Sequence, residues 1–443
     1  MSASTARPAD LSLPELLPLL RQDRLTLEEY YQDALDRVEE REKVVQALLP
    51  EEGRKERLLE TADELRRRYR PEERPPLYGA LFGVKDIFKL AGFGMRAGSR
   101  LPESAFEGPE AAIVSRLTES GAVPLGRTVT TEFAYFTPGP TTNPRNPHHT
   151  PGGSSSGSAA AVGAGYCRIA LGTQTIGSII RPAAFCGITG VKPSYETLPR
   201  DGVFPFSESA DHVGFLLGSV EDGLSVMGIL LDGGPWSSDV GESPRFAVPH
   251  DAYITQVEPG TLAHFRETIE AFRDAGIEVV SSTLLSDIGE IAIAHREMIA
   301  GEFFKNHEAL FRSQGDLYSE SSASLFQEGQ KISDAELEAA RGGRLALRSA
   351  LDSELDRLGA VAWLSPSSFS TAPEGLSSTG SPAMNLPWTY AGVPAVNVPS
   401  GVDDKGLPFG LQIAGPFGAD RETLALAGRL ERLMSIRSLG QPE

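Results

Sequence analysis

Residues 151–186 read PGGSSSGSAAAVGAGYCRIALGTQTIGSIIRPAAFC. Seven of the first ten residues are glycine or serine, which is the composition of a flexible linker. The residues that follow are small or apolar and favour buried structure: SAAAVGAG predicts a helix, CRIALGTQ a strand and IIRPAAF a second short helix. This succession predicts an α/β fold. It leaves open whether the glycine- and serine-rich run is a hinge between domains or part of a functional site.

The same alternation of strands and helices extends over most of the chain. Helices are expected at 111–119, 260–275 and 421–436, and strand-like runs lie at 79–87, 122–128, 245–249, 277–282, 361–368, 394–401 and 407–415. Before them, Thr26–Glu29 is a capping box that opens an amphipathic helix, and a charged helix is expected over about 52–69. Residues 291–358 are mostly helical and charged, and they interrupt two halves of one sheet. We therefore expect an α/β sheet with helices packed on it.

Charge and composition exclude several classes of protein. The 443 residues carry 41 Lys and Arg against 60 Asp and Glu, a net charge of −19, which argues against nucleic acid or an anionic membrane as a partner. No signal peptide and no apolar run long enough to cross a membrane are found, so we expect a soluble cytoplasmic protein. Cys167 and Cys186 form no CxxC pair and are expected to be buried core residues. His148 and His149 are adjacent on a loop and are expected to be solvated, not metal ligands.

Two short motifs are misleading. Residues 121–128 resemble a phosphate-binding P-loop, but Arg127 stands where that motif needs lysine, and the segment is strand-like. Residues 153–157 match the GxSxG nucleophile elbow of α/β-hydrolases. That fold needs a strand just before the serine and a catalytic histidine late in the chain, whereas the last histidine here is His307. Neither a nucleotide site nor an α/β-hydrolase is therefore expected.

Three polar elements lie in apolar, small-residue surroundings: Lys85 in LFGVKDIF, the serines 154–156, and Ser178 in GTQTIGSIIRP. Taken singly, each has a structural explanation. A salt bridge to Asp86 would explain Lys85, a turn would explain the serines 154–156, and a helix N-cap would explain Ser178. Together they indicate acyl transfer. Glycine-rich backbone at a helix start offers N–H groups to a developing anion. A buried lysine loses its charge and can act as a base for a serine nucleophile, and a second serine can relay the proton.

On these motifs the chain resembles the amidase signature family. The family pattern GGSS[GS]GSAAA is similar to GGSSSGSAAAV at 152–162, and LGTDTGGSIRxPAAFCGxxGxKP is similar to LGTQTIGSIIRPAAFCGITGVKP at 171–193. GVKD is present at 83–86, SADHVGFLLGSVED at 209–222, and 387–415 is a further long similar stretch. The resemblance runs from about residue 75 to the C-terminus, apart from the helical insert.

The resemblance implies one large catalytic domain over 75–443, a twisted mixed β-sheet between layers of α-helices (α/β/α). The segment 1–74 is then helical and packed on this core, and the helical insert occupies about 291–358. Lys85 corresponds to the catalytic base, Ser154 to the bridging serine held by a non-proline cis peptide, and Ser178 to the acylated nucleophile. The resemblance implies neither metal nor organic cofactor. It also implies an oxyanion hole and two supporting residues: the backbone N–H groups of Thr175, Ile176, Gly177 and Ser178, with Ser155 and Thr173 as supports.

Three positions depart from the family pattern. Gln174, Ile176 and Ile180 stand where the family usually has aspartate, glycine and arginine. The loss of an acid and a base together suggests that an interacting pair has been removed. Ile176 places a β-branched side chain where glycine would be free in φ. We hypothesise a more apolar and more restricted pocket beside Ser178.

The pocket residues favour apolar substrates. Tyr135, Phe136 and Phe206 are the expected aromatic lining. The prediction is an amidase that hydrolyses aryl or apolar amides through a serine acyl-enzyme, with esters and carbamates (urethanes) as further small-molecule substrates. Two alternatives stay open: the glutaminase subunit of a tRNA amidotransferase, which needs partner subunits, and a non-catalytic binding protein on this fold. Otherwise a monomer or homodimer is expected.

Overall fold

A computed structural model describes residues 7–239 and 244–438. Its centre is a single mixed sheet with the strand order β2-β1-β3-β5-β4-β9-β10-β8-β6-β7. Strand β1 pairs in parallel with β2 and β3, and strand β6 pairs in parallel with β7 and β8. The other pairs, from β3 through the middle of the sheet to β8, are antiparallel. The strands are β1 (Leu81–Lys85), β2 (Val123–Thr128), β3 (Ile169–Gln174), β4 (Thr189–Lys192), β5 (His212–Leu217), β6 (Arg245–Pro249), β7 (Glu278–Ser282), β8 (Ala362–Pro366), β9 (Ala395–Val402) and β10 (Pro408–Ala414).

Helices cover both faces of this sheet, which is the expected α/β/α arrangement. They are α1 (Leu13–Arg21), α2 (Leu27–Val45), α3 (Arg54–Arg68), α4 (Ala112–Glu119), α5 (Ser156–Gly163), α6 (Ile180–Cys186), α7 (Val220–Asp232), α8 (Pro259–Asp274), α9 (Ile288–Gln314), α10 (Glu320–Gly329), α11 (Asp334–Leu358), α12 (Leu386–Ala391) and α13 (Asp420–Ser438). No helix among the described residues is long and apolar enough to span a membrane.

The parallel pairing of β1 with β3 positions the site. Parallel strands end at the same edge of a sheet, so Lys85, the last residue of β1, lies beside the end of β3. The glycine-rich run precedes and opens α5, and it packs closely against neighbouring backbone. A Cβ atom at Gly157 would collide with the carbonyl oxygen of Ala47 and the amide nitrogen of Val129. The run is therefore part of the buried core and not a hinge.

Helix α3 and the segment after α2 pack on edge strand β2, and α1 packs on α7. The capping box at Thr26 forms as predicted, and its side chain accepts from the backbone N–H of Glu29. After α2, the N–H of Leu49 donates to the carbonyl of Arg127 in edge strand β2, 2.8 Å away. These contacts cover the outer edge of β2, which would otherwise present unpaired backbone groups.

Two motifs behave as the sequence predicts, and one expectation is wrong. The P-loop-like segment is strand β2, and no strand precedes the GxSxG match at Ser155, which lies directly before α5. Both cysteines are free and buried. His149, however, is not solvated: it is 5% exposed, and its Nδ1 lies 2.7 Å from the carbonyl oxygen of Ala372. This carbonyl lies 223 residues further along the chain, so local sequence carried no sign of the contact.

Candidate active site

Lys85 lies completely buried at the end of β1. Its Nζ is within hydrogen-bond distance of two hydroxyls, 2.8 Å from Ser154 Oγ and 2.8 Å from Thr173 Oγ1. The salt bridge that Lys85 could form with Asp86 is absent, because Asp86 pairs with Arg127. Burial lowers the pKa of Lys85 well below its usual 10.5, and the nearby charge of Asp211 raises it only in part. Lys85 is thus placed to accept a proton.

Ser154 is held in a rigid loop. The peptide bond between Gly153 and Ser154 is cis, in agreement with what the resemblance implies. Arg181 Nη2 donates to the carbonyl of Gly153 at 2.6 Å and also contacts Thr379 Oγ1. On the other side, the N–H of Thr131 donates to the carbonyl of Ser154 at 3.2 Å. These bonds fix the backbone on both sides of the Ser154 hydroxyl.

Ser178 lies in the turn between β3 and α6 and is 7% exposed. Helix α6 starts at Ile180 with Ile179 as its N-cap, so Ser178 does not cap the helix. The N–H of Ser155 donates to the Ser178 carbonyl at 3.4 Å. Within the described part of the chain, the Ser178 hydroxyl has no hydrogen-bond partner, and its bond to Ser154 is not formed. Catalytic hydrogen bonds of this kind often tighten only when substrate binds.

The turn from Thr175 to Ser178 offers free donors. Its four backbone N–H groups find no acceptor among residues 7–239 and 244–438, although Thr175, Gly177 and Ser178 are buried and Ile176 is half-buried. The next two N–H groups, of Ile179 and Ile180, both donate to Gln174 Oε1, at 2.8 and 3.0 Å. Since a run of unpaired N–H groups beside a nucleophile can bind an anion, this turn has the properties of an oxyanion hole.

The three departures from the family pattern have separate explanations. Ile176 does not need the left-handed backbone that favours glycine, because its φ is negative. Gln174 is fully buried and uses its whole amide: Oε1 accepts at the start of α6, and Nε2 donates to Thr389 Oγ1 at 2.8 Å. Ile180 is buried in the first turn of α6. The neutral Gln174 therefore replaces the acid without leaving an unpaired charge.

A small cavity lies directly beside Ser178. Its volume is about 10 Å³, room for roughly one water molecule. The predicted aromatic residues Tyr135, Phe136 and Phe206 line it together with Ile176. The ring centroids of Tyr135 and Phe206 are 5.6 Å apart, and those of Tyr135 and Phe136 are 4.6 Å apart. Aromatic and aliphatic side chains thus share the wall of the cavity with the polar residues Thr175, Ser178 and Arg181.

Asp211 is a site residue that sequence reasoning missed. Its carboxylate accepts from Thr175 Oγ1 at 2.5 Å and from the N–H groups of Phe206 and Ser207 at 2.8 and 3.0 Å. It therefore joins the turn before Ser178 to the segment that carries Phe206. Burial raises the pKa of Asp211 to about 6. The stretch SADH at 209–212 lies within the resemblance, and it is the signal that could have found this residue.

The chain is similar to known proteins over most of its length. A model of the Amidase family matches residues 29–424. A glutamyl-tRNA(Gln) amidotransferase subunit of Synechococcus sp. (strain RCC307) is 29% identical over 96% of this chain and 97% of its own length. The corresponding subunit of Geobacter sp. (strain M21) is 30% identical over 96% of this chain and 97% of its own.

Among solved structures, one described as a crystal structure of amidase superposes with a TM-score of 0.85 at 30% identity. The match covers 95% of this chain and 99% of that one. A family match over nearly the whole length, together with the fold, leads to one assignment. This chain belongs to the amidase signature family.

Proposed function

We propose that this chain is a stand-alone amidase that hydrolyses the C–N bond of aryl or apolar amides through an acyl-enzyme on Ser178. The observation that carries the proposal is the fully buried Lys85, 2.8 Å from the Ser154 hydroxyl and close to a turn of unpaired N–H groups. A buried neutral amine is a base at neutral pH, and amide hydrolysis needs a base, a nucleophile and an oxyanion site.

The residues support the following reaction. Lys85 takes the proton of Ser154, which takes the proton of Ser178, and the Ser178 oxygen attacks the amide carbonyl carbon. The turn N–H groups stabilise the oxyanion of the tetrahedral intermediate. The proton then returns through Ser154 to the amide nitrogen, the C–N bond breaks, and the amine leaves. Water attacks the resulting ester by the same relay, and the carboxylic acid is released.

The cavity lining supports an apolar substrate. Tyr135, Phe136, Phe206 and Ile176 offer no charge to a substrate, and the volume beside Ser178 must expand to admit an acyl group. Esters and carbamates expose the same carbonyl carbon to Ser178 and have leaving groups no harder to expel than an amine, so we include them as substrates.

The amidotransferase relatives favour a second candidate, a glutaminase subunit that works with partner chains. Glutamine carries an α-ammonium and an α-carboxylate, and both need charged partners when they are desolvated. The only charged side chain among the described residues that line the cavity is Arg181, whose Nη atoms donate to the carbonyls of Gly153 and Gly380 and whose Nε has no hydrogen-bond partner. The lining supplies no carboxylate for an ammonium group. We therefore place the glutaminase function second.

The test uses the purified single chain without glutamine or partner proteins. We expect it to hydrolyse p-nitroanilides, with a preference for aryl or apolar acyl groups in a panel that also holds esters and carbamates. Ser178→Ala and Lys85→Ala should each lower kcat/KM by about 10,000-fold. Ser104→Ala, at an exposed serine, is the matched control and should keep full activity.

A fluorophosphonate probe distinguishes the remaining alternative, a non-catalytic binding protein. The probe should label Ser178, with the adduct located by mass spectrometry, and Ser178→Ala should abolish the labelling. Full turnover in Ser178→Ala, or wild-type chain that is neither active nor labelled, would overturn the proposal. Activity only with glutamine and added partner subunits would favour the second candidate.

A further inference from the structure

The carbonyl groups of the turn before Ser178 are all held by hydrogen bonds. In a trans peptide the C=O and N–H of one unit point in opposite directions, so a bond to the carbonyl also sets the direction of the following N–H. The carbonyl of Thr175 shares a peptide unit with the N–H of Ile176, and the carbonyl of Ile176 shares one with the N–H of Gly177. Whatever holds these two carbonyls therefore aims two of the four N–H groups assigned to the oxyanion.

The Thr175 carbonyl is held by a histidine from the helical insert. His295 Nε2, on α9, lies 3.0 Å from this oxygen, and His295 is 1% exposed. Because a carbonyl can only accept, Nε2 must carry the hydrogen. Burial lowers the pKa of His295 to about 4, so near neutral pH the ring is the uncharged Nε2–H tautomer.

The Ile176 carbonyl is held by Thr389, from α12. Thr389 Oγ1 lies 2.6 Å from the Ile176 oxygen and 3.0 Å from the oxygen of Asn385 in its own helix. The hydroxyl has a single hydrogen, and Gln174 Nε2 already donates to its oxygen at 2.8 Å. That hydrogen must therefore go to a carbonyl, and the shorter contact is the one to Ile176.

The third carbonyl, of Gly177, accepts from the N–H of Arg181 at 3.0 Å, which is a bond that the start of α6 makes by itself. The other two bonds come from residues 120 and 213 positions further along the chain. The turn itself thus does not determine where the N–H groups of Ile176 and Gly177 point.

We propose that His295 and Thr389 are positioning residues of the oxyanion hole, which hold the N–H groups of Ile176 and Gly177 toward the oxyanion through the carbonyls behind them. The inference rests on the proposed Ser178 acyl transfer and extends it to two residues outside the catalytic motifs. Neither side chain touches the reacting atoms.

The test compares removal of each donor with its conservative replacement. Thr389→Val removes the hydroxyl at constant shape, and Thr389→Ser keeps it. His295→Leu removes the ring donor, and His295→Gln can place an N–H near the position of Nε2. Loss of one oxyanion donor costs about 100- to 1,000-fold in kcat, so misdirecting one should lower kcat by roughly 10- to 100-fold with little change in KM. The serine and glutamine variants should stay within about 3-fold of wild type.

The second readout is the affinity for an analogue of the tetrahedral intermediate. A merely structural role of His295 and Thr389 would leave this affinity unchanged. We expect an arylboronic acid, which forms a tetrahedral adduct with Ser178, to bind the valine and leucine variants more weakly by the same factor as kcat falls. The product amine, which has no oxygen to occupy the oxyanion hole, should bind all variants equally. Rates are expressed per active site titrated with the fluorophosphonate, so partly unfolded protein does not count.

The outcomes separate this inference from the proposed function. If Ser178→Ala keeps full turnover, the proposed function fails and the inference with it. If turnover depends on Ser178 but Thr389→Val and His295→Leu match wild type in kcat and in boronate affinity, only the inference is overturned. Equal losses in the valine and serine variants would also overturn it. Should His295→Leu not fold, the Thr389 pair decides the question alone.

Discussion

Burial of one amine determines the pH range in which the proposed site can work. Lys85 has no exposed surface, and its two close polar neighbours are the uncharged hydroxyls of Ser154 and Thr173. Desolvation therefore lowers its pKa well below 10.5. Among the described residues, the nearby charge that works against this is the carboxylate of Asp211, which raises the pKa of Lys85.

The first prediction concerns the pH dependence of kcat/KM. Only the neutral amine accepts a proton, so kcat/KM should rise with pH through the pKa of Lys85, with a midpoint well below 10.5. Asp211→Asn removes the charge that raises this pKa, so the rising limb should move to lower pH. Asp201→Asn, at an exposed carboxylate, is the control and should leave the limb in place. If the rise of kcat/KM with pH stays at the same pH in Asp211→Asn, the pH dependence does not come from Lys85.

The second prediction concerns the size of the acyl group. Ile176 narrows a cavity of about 10 Å³ beside Ser178, and its backbone has no need of glycine. Ile176→Gly should therefore admit larger acyl groups and raise the ratio of kcat/KM for bulky over small p-nitroanilides by at least about 10-fold. Ile293→Ala, which shortens an isoleucine that is 62% exposed, serves as the control. An unchanged ratio in Ile176→Gly would refute the restricted pocket.

Sequence reasoning identified the candidate site residues that lie in local motifs and did not identify those that contact the turn from distant parts of the chain. Lys85, Ser154 and Ser178 stand out because polar residues interrupt apolar runs, and the structure brings Lys85 and Ser154 into contact. His295 stands in ordinary helical sequence, and Thr389 lies in the family-like stretch 387–415, where nothing in the local pattern singles it out. Their contacts with the turn join positions more than 100 residues apart, which no local pattern records.

Helix α9 connects the helical insert to the wall of the pocket. Arg296 Nη1 donates to the Tyr135 hydroxyl at 2.5 Å, and the Phe303 ring lies 5.0 Å from that of Phe206. Glu302 is buried, and its carboxylate accepts from both Ser207 and Ser209. The insert is therefore not an appendage, because it holds the segment that carries Phe206.

The third prediction tests this link through two acids that share one arginine. Arg341 pairs with Glu302, whose side chain is 2% exposed, and with Glu338, whose side chain is 68% exposed. Glu302→Ala leaves Arg341 and two serines without their buried acceptor and should lower the free energy of unfolding by about 3 kcal/mol. Glu338→Ala removes an exposed pair and should cost less than about 1 kcal/mol. Urea denaturation measures both.

Each substitution removes one acidic partner of Arg341. The difference between their losses of stability therefore reports on the burial of the Glu302 carboxylate. Glu302→Ala should also raise KM for aryl amides, because the segment 205–209 behind Phe206 loses an anchor. Equal losses of stability, with KM unchanged in both, would show that α9 does not hold the pocket wall.

Sequence periodicity predicted the elements well but did not predict their order in the sheet. Strands such as β3 and β6 and helices such as α4 and α8 were placed within a few residues, because apolar alternation and turn residues are local signals. The strand order is not local. Strand β4 pairs with β9, more than 200 residues later, and this pairing joins the two halves of the sheet on either side of the insert. The α/β/α architecture could be expected only from the resemblance.

At the scale of the whole molecule, one hydrophobic core joins the N-terminal helices to the sheet. Leu58 of α3 is completely buried in the same cluster of apolar side chains as Trp363 of β8 and Trp388 of α12. Strand β2, on which α3 packs, and strand β8 lie toward opposite ends of the sheet. Segment 1–74 is predicted to pack on the catalytic domain, and a shared core implies that the two unfold together.

The fourth prediction is that a cavity in the N-terminal segment destabilises the entire chain. Leu58→Ala removes a buried side chain from α3 and should lower the free energy of unfolding by about 2 to 5 kcal/mol. In urea, far-UV circular dichroism, tryptophan fluorescence and Ser178-dependent activity should all shift to the same lower midpoint. The slope m should stay unchanged, because the surface exposed on unfolding is the same.

Lys55→Ala is the matched control, since it introduces the same alanine at an exposed position of α3. It should leave every midpoint within error of wild type. Tryptophan fluorescence decides the outcome. Two of the three tryptophans, Trp363 of β8 and Trp388 of α12, have ring centroids 5.8 Å apart, and six strands of the sheet separate β8 from β2, on which α3 packs. If their transition keeps the wild-type midpoint while circular dichroism loses amplitude earlier, segment 1–74 unfolds by itself. The shared core would then be a contact between two folding units, and the boundary near residue 75 would divide the molecule thermodynamically.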